Sequence, residues 1–122
     1  MSETKQNPLK EKSYAFALKI ILITKQMNES KEFVLAKQLL RSGTAIGALV
    51  EEANQAESKA DFVHKLSIAN KEANETHYWL RLLMDTNTLD SNSAAKLIES
   101  CRELEKLLTT ILKTTKSNLK KK

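Results

Sequence analysis

The chain has 122 residues, which suits one domain able to bury a core without disulfide or metal support. One proline and two glycines leave little from which to build the turns of a β protein, while Ala, Leu, Lys and Glu are abundant, so the composition points to an all-α fold. The formal charge of +5 belongs to the C-terminal end: residues 113–122 carry five lysines and no acid, and the other 15 basic residues balance all 15 acidic ones.

A single cysteine excludes an intramolecular disulfide framework and fits a reducing compartment. The start, MSETKQNPLKEK, is polar, and the longest run of large aliphatic residues, Ile20 to Ile23, is too short to cross a bilayer. The expectation is a soluble, cytoplasmic protein with no membrane partner.

The first helical segment is expected over 9–27, with Pro8 just before it or in its first turn. Two apolar stripes run along it. Tyr14, Leu18 and Ile21 form one; Phe16, Ile20, Ile23 and Met27 form the other. One stripe satisfies a single bundle seam, so the second points to a further neighbour, either within the chain or in another subunit.

Ser30 is a fair N-cap for a second helix over 31–54. Leu35, Leu39, Ser42, Ile46, Leu49 and Ala53 recur at spacings of four and three, a bundle seam. Beside it lie both glycines of the protein, Gly43 and Gly47, one turn apart. Each Gly in a helix interior costs about 1 kcal/mol against Ala, so packing has to ask for them. The motif Ser42, Gly43, Ile46, Gly47 is therefore expected to let a neighbouring backbone approach closely. A membrane dimer motif is disfavoured because Arg41, Glu51 and Glu52 flank it.

Ser58-Lys59-Ala60-Asp61 resembles a capping box and starts a third helix over 59–85. Phe62, Leu66, Ala69, Ala73, Thr76, Leu80 and Leu83 follow a 4-3 alternation throughout, the cleanest heptad in the chain. The stretch 85–92 is turn-forming, and Asp90 or Ser91 can cap a last helix over 92–114, whose seam is Ala94, Leu97, Cys101, Leu104, Leu108 and Ile111. Four long segments with short connections predict an antiparallel up-down-up-down four-helix bundle over 1–116, followed by a basic disordered tail over 117–122. A helical hairpin that completes its core on dimerisation is the alternative.

The run LLRSGTAIGALVEEANQAESKADF, then HKLSIANKEANETHYWLRLL, resembles the four-helix-bundle proteins encoded in intervening sequences of bacterial 23S rRNA genes. Matching positions include Arg41, Ser42, Gly43, Ile46, Gly47, Glu51, Glu52 and Ala53, then Ser58 to Phe62, and Lys65, Leu66, Lys71, Glu72, Glu75, Thr76, Tyr78 and Trp79. Leu49, Asn70 and Asn74 depart from the pattern. The resemblance implies a homo-oligomer, with pentameric rings known in the family, and no established enzymatic activity. It also extends to the accessory protein of diversity-generating retroelements, a strongly basic oligomer that binds reverse transcriptase and nucleic acid. This chain has a neutral body, so that role transfers poorly.

Chemistry is thinly represented. A di-iron bundle needs Glu-x-x-His pairs on two helices, and the chain has only the weaker Asp61-x-x-His64. His64 and His77 lie thirteen residues apart on one helix and cannot share a ligand. Cys101 falls on a seam with no cationic neighbour to activate it, so a packing role is favoured. No catalytic residue, metal site or cofactor is expected. Arg41, Glu51, Glu52, Lys71, Glu72 and Glu75 are candidates for ion pairs that set helix register or join subunits, with Tyr78 and Trp79 as further contacts and Met84 as a possible apolar anchor. Lys113, Lys116, Lys120, Lys121 and Lys122 are candidate contacts to RNA or DNA, multiplied by oligomerisation. The competing expectation is a scaffold for a protein partner.

Overall fold

Four helices carry the chain: α1 (Ser2–Glu29), α2 (Phe33–Ala53), α3 (Lys59–Asp85) and α4 (Ser91–Lys120). The computed structural model describes residues 2–120, and the side chains of residues 8–119. Connections over 30–32, 54–58 and 86–90 are too short for anything but antiparallel neighbours. α1 packs along α2, α2 along α3 and α3 along α4, while α1 and α4 close the square through a lighter contact. The all-α four-helix bundle expected from the heptads is the fold found.

The apolar seams converge on one core. Phe16, Ile20 and Met27 enter it from α1; Leu39, Ile46 and Val50 from α2; Leu66, Ala69, Ala73, Leu80 and Leu83 from α3; Leu97, Cys101, Leu104 and Leu108 from α4. The third-helix heptad is buried from Leu66 onward, and Phe62 packs against its edge. α2 also reaches the length and apolarity of a membrane span, although no long unbroken run of aliphatic residues announces it. Its Ala36, Leu39, Ile46, Val50 and Ala53 are buried in the bundle.

Gly43 and Gly47 face α1, with ordinary helical backbone angles, so space and not conformation explains them. A Cβ at Gly43 would lie 2.9 Å from both Ile20 Cγ1 and Ile20 Cγ2, and one at Gly47 would lie 3.3 Å from the Ser13 carbonyl oxygen. The two helices meet at a distance that requires glycine at Gly43 unless Ile20 shifts, and that is tight but adjustable at Gly47.

Several boundaries differ from expectation. α1 begins at Ser2, so Pro8 lies inside it. Ser30 does not cap α2: its N–H bonds back to the carbonyls of Gln26 and Met27. Lys31, at φ 67°, and Glu32 complete a Schellman closure of α1, through Lys31 N–H to Asn28 O and Glu32 N–H to Met27 O. α2 therefore starts two residues late, after Glu32, with no side-chain cap. α3 ends the same way around Asn87, at φ 59°.

The caps of α3 and α4 are conventional. Ser58 Oγ accepts from Asp61 N–H at 3.0 Å, and the Asp61 carboxylate accepts from Glu57 N–H, one residue before the usual box partner. Asp90, not Ser91, caps α4, accepting from Ser93 N–H at 3.0 Å. The tail expected from Ser117 is helix through Lys120. Leu112 is buried, and Thr115 and Leu119 are half-buried at helical spacing, so the apolar stripe runs on past Thr114 and Thr115.

Candidate functional site

The seam between α2 and α3 gathers most of the residues singled out by the sequence. At its centre the fully buried hydroxyls of Ser42 and Thr76 lie 2.9 Å apart, and Thr76 also donates to the Glu72 carbonyl at 2.7 Å. A buried polar pair of this kind penalises any register that separates its members.

Immediately outside it, the guanidinium of Arg41 bridges two carboxylates one turn apart on α3. It donates to Glu72 Oε1 at 3.1 Å and to Glu75 Oε2, and Trp79 Nε1–H donates to the same Glu75 oxygen at 3.0 Å. The hydrogen bond from Arg41 holds the Glu75 carboxyl below the usual carboxylate range, assisted by Trp79, and Arg41 is raised in turn by Glu75 first and Glu72 second. Arg41 is half exposed, so the cluster contributes orientation more than stability.

The other candidates separate. Lys65 on α3 pairs with Glu52 on α2 at 3.1 Å, so this pair also joins the two helices. Glu51 turns the other way, toward Lys10 of α1 at 3.8 Å. Lys71 is exposed, and among the described residues it makes no ion pair. Tyr78 stands exposed with its ring edge-on to Trp79, centroids 5.4 Å apart, and Arg81 sits over its face at 5.8 Å. Met84 is half-buried against the core, which leaves less of it for a partner.

The lysines occupy a different region. Glu105 is the last acid of the chain, and it faces inward to His77 Nδ1 at 3.4 Å. Beyond it Lys106, Lys113 and Lys116 are exposed on α4. Lys120, Lys121 and Lys122 lie outside the residues whose side chains are described.

Two apolar surfaces stay uncovered. On α1, Tyr14, Leu18, Ile21 and Leu22 are exposed, so the second stripe does not find its neighbour within the chain. On α2, Phe33, Val34 and Leu40 are exposed, a feature that leaves only a faint trace in the sequence. That trace is two adjacent large apolar residues, whose faces cannot be assigned on a helix begun at residue 31.

Nothing in this arrangement forms an enclosed reaction centre among the described residues. Cys101 donates through Sγ to the Ala73 carbonyl at 3.2 Å, and burial, reinforced by the Glu105 charge, pushes its thiol up to about 12. No group of three His, Cys, Asp or Glu side chains suited to a metal ion is found among the described residues.

The fold is thus a four-helix bundle whose second helix meets the first through two glycines and the third through a buried hydroxyl pair and an arginine between two glutamates. The chain belongs to the family of 23S rRNA-intervening sequence proteins, whose pattern matches residues 5–110. It is 50% identical to a protein of unknown function from the S23 ribosomal protein family of Bacteroides thetaiotaomicron, whose crystal structure superposes with a TM-score of 0.86 over 89% of this chain and 98% of that one. No curated protein matches the sequence.

Proposed function

We propose that this protein is a non-enzymatic, self-associating bundle that holds structured RNA through the lysines at the end of α4. The observation that carries the reading is the charge separation along that helix. Acids and bases intermingle up to Glu105, and from Lys106 onward every charged residue of the chain is a lysine. Lys106, Lys113 and Lys116, exposed on one continuous helix, form a row that can meet phosphates, and such contacts release counterions on binding. A single row binds weakly. Self-association through the uncovered apolar face of α1 gathers several rows, and effective concentration then raises affinity without new contacts. A ring, including the pentamer that the family resemblance implies, meets this need.

RNA binding measured across a salt series tests the reading. The full chain is expected to lose affinity steeply with salt. Deletion of 116–122 is expected to flatten that dependence, by roughly 0.7 to 0.9 in log-log slope for each lysine–phosphate pair removed. Salt-insensitive binding, or a slope unchanged by the deletion, would sink it.

A second reading, a scaffold for a protein partner such as a reverse transcriptase, is favoured by the Tyr78–Trp79 pair with Arg81 beside it. Tyr, Trp and Arg are the residue types that dominate interface hot spots, and Tyr78 is 48% exposed. Tyr78→Ala abolishing capture of one defined protein, with RNA affinity unchanged, would support it.

A further inference from the structure

We propose that the groove between α1 and α4 receives the α1–α2 corner of a second copy of this chain, in a head-to-tail contact. The inference rests on the self-association reading and says which surfaces meet.

The groove exists because α1 and α4 pack only lightly. Ile23 and Leu97 lie at its base with the exposed Leu22 beside them, and Lys19 on α1 and Lys96 on α4 line its two sides. At about 260 Å³ it falls short of the roughly 300–1,000 Å³ of small-molecule sites, and it is open to solvent along the bundle. It suits protruding side chains better than an enclosed ligand.

The corner offers such side chains. Phe33 is 59% exposed and Val34 75%, side by side in the first turn of α2. Glu29 and Glu32 precede them, both exposed, so the corner is net negative even with Lys31 between them. Among the described residues, Lys19, Lys96, Glu29 and Glu32 make no ion pair within the chain. An apolar knob with unpaired acids and an apolar groove with unpaired bases are complementary in both respects.

Geometry selects a head-to-tail contact over a two-fold one. Knob and groove lie at the same end of the bundle, where α1 finishes and α2 and α4 begin, but the groove is walled by α4, which among the described residues does not pack against the α2 that carries the knob. One subunit can therefore use both surfaces at once, and repetition of that contact builds a closed ring or an open chain. The exposed Tyr14, Leu18 and Ile21 on the outer side of α1 extend the apolar surface toward the roughly 800 Å² per partner of a stable interface.

Light-scattering mass of the full chain tests this with three variants, each checked for helicity by circular dichroism. Lys19→Glu with Lys96→Glu reverses the groove, Phe33→Ser with Val34→Ser blunts the knob, and the third combines the reversed groove with Glu29→Lys and Glu32→Lys. The first two alone are expected to fall to the single-chain mass of 13.8 kDa. Mixed together they should form a pair that grows no further, since only one intact knob meets one intact groove. The third should regain the wild-type mass. Wild-type mass in both of the first two variants would overturn the proposed surfaces and leave self-association standing. A wild-type protein at 13.8 kDa throughout the micromolar range would overturn self-association itself.

Discussion

Lys31 and Asn87 occupy the same structural position and show how far a turn can be hidden in a sequence. Each is the left-handed residue of a Schellman closure, a place where glycine is the usual choice because a side chain costs about 1–2 kcal/mol there. Asn tolerates this conformation, so Asn87 carries some warning of the turn. Lys31 carries none, and the absence of glycine is why Ser30 reads as the start of a helix when it belongs to the end of one. The strain is recoverable. Lys31→Gly is expected to raise stability by about 1 kcal/mol, read as a higher urea midpoint at unchanged slope, with Asn87→Gly giving less. A Lys31→Gly protein no more stable than wild type would mean that the exposed lysine makes compensating contacts.

Among the elements, the α1–α2 pair depends on the missing methyl group at Gly43 more than on the one at Gly47. Gly43 is opposed by both γ carbons of Ile20, which is fully buried and branched at Cβ, so the contact is not with the far end of a flexible side chain. Gly43→Ala should therefore incur an overpacking cost of about 1–3 kcal/mol, offset by about 1 kcal/mol of helix propensity. Gly47 is opposed by the Ser13 carbonyl at 3.3 Å, where a shift of a few tenths of an ångström suffices. The propensity gain nearly cancels that cost, and Gly47→Ala is expected within about 1 kcal/mol of wild type. Denaturant titration of both separates the cases, and equal effects would mean that Ile20 does not set the crossing. The same elements mark what the sequence could reveal. Period and composition suffice for the α3 heptad, the Ser58 cap and the small-residue face, because each is a local signal repeated along one helix. The Arg41, Glu72 and Glu75 cluster is legible in outline as a link between α2 and α3. Glu51 is not, since neighbouring residues on a helix point about 100° apart and only the packed structure says which reaches α1. The end of α4 is hidden because Thr114 and Thr115 interrupt the apolar letters without interrupting the helix: Thr115 returns its hydroxyl to the Ile111 carbonyl at 2.8 Å.

At the scale of the molecule, the bundle is unevenly closed. α2 and α3 each lie between two closely packed neighbours, whereas α1 and α4 each have one such neighbour and share a light contact with the groove along it. Stability should follow that asymmetry, because segments with fewer buried contacts open at lower free energy. In hydrogen exchange on dilute protein, the amides of Leu39–Val50 and Ala69–Leu83 are expected to report global unfolding. Those from Lys19 to Gln26 should exchange through a partial opening that detaches α1 from α4. The groove then adds a concentration dependence. If a second copy fills it, protection of Lys19–Gln26 rises with protein concentration because the partial opening must first release the partner, and the global limit reported by α3 rises with it by mass action. Uniform protection across all four helices in dilute protein would contradict the uneven closure. Protection of α1 that ignores concentration in an associated protein would place the contact on another face.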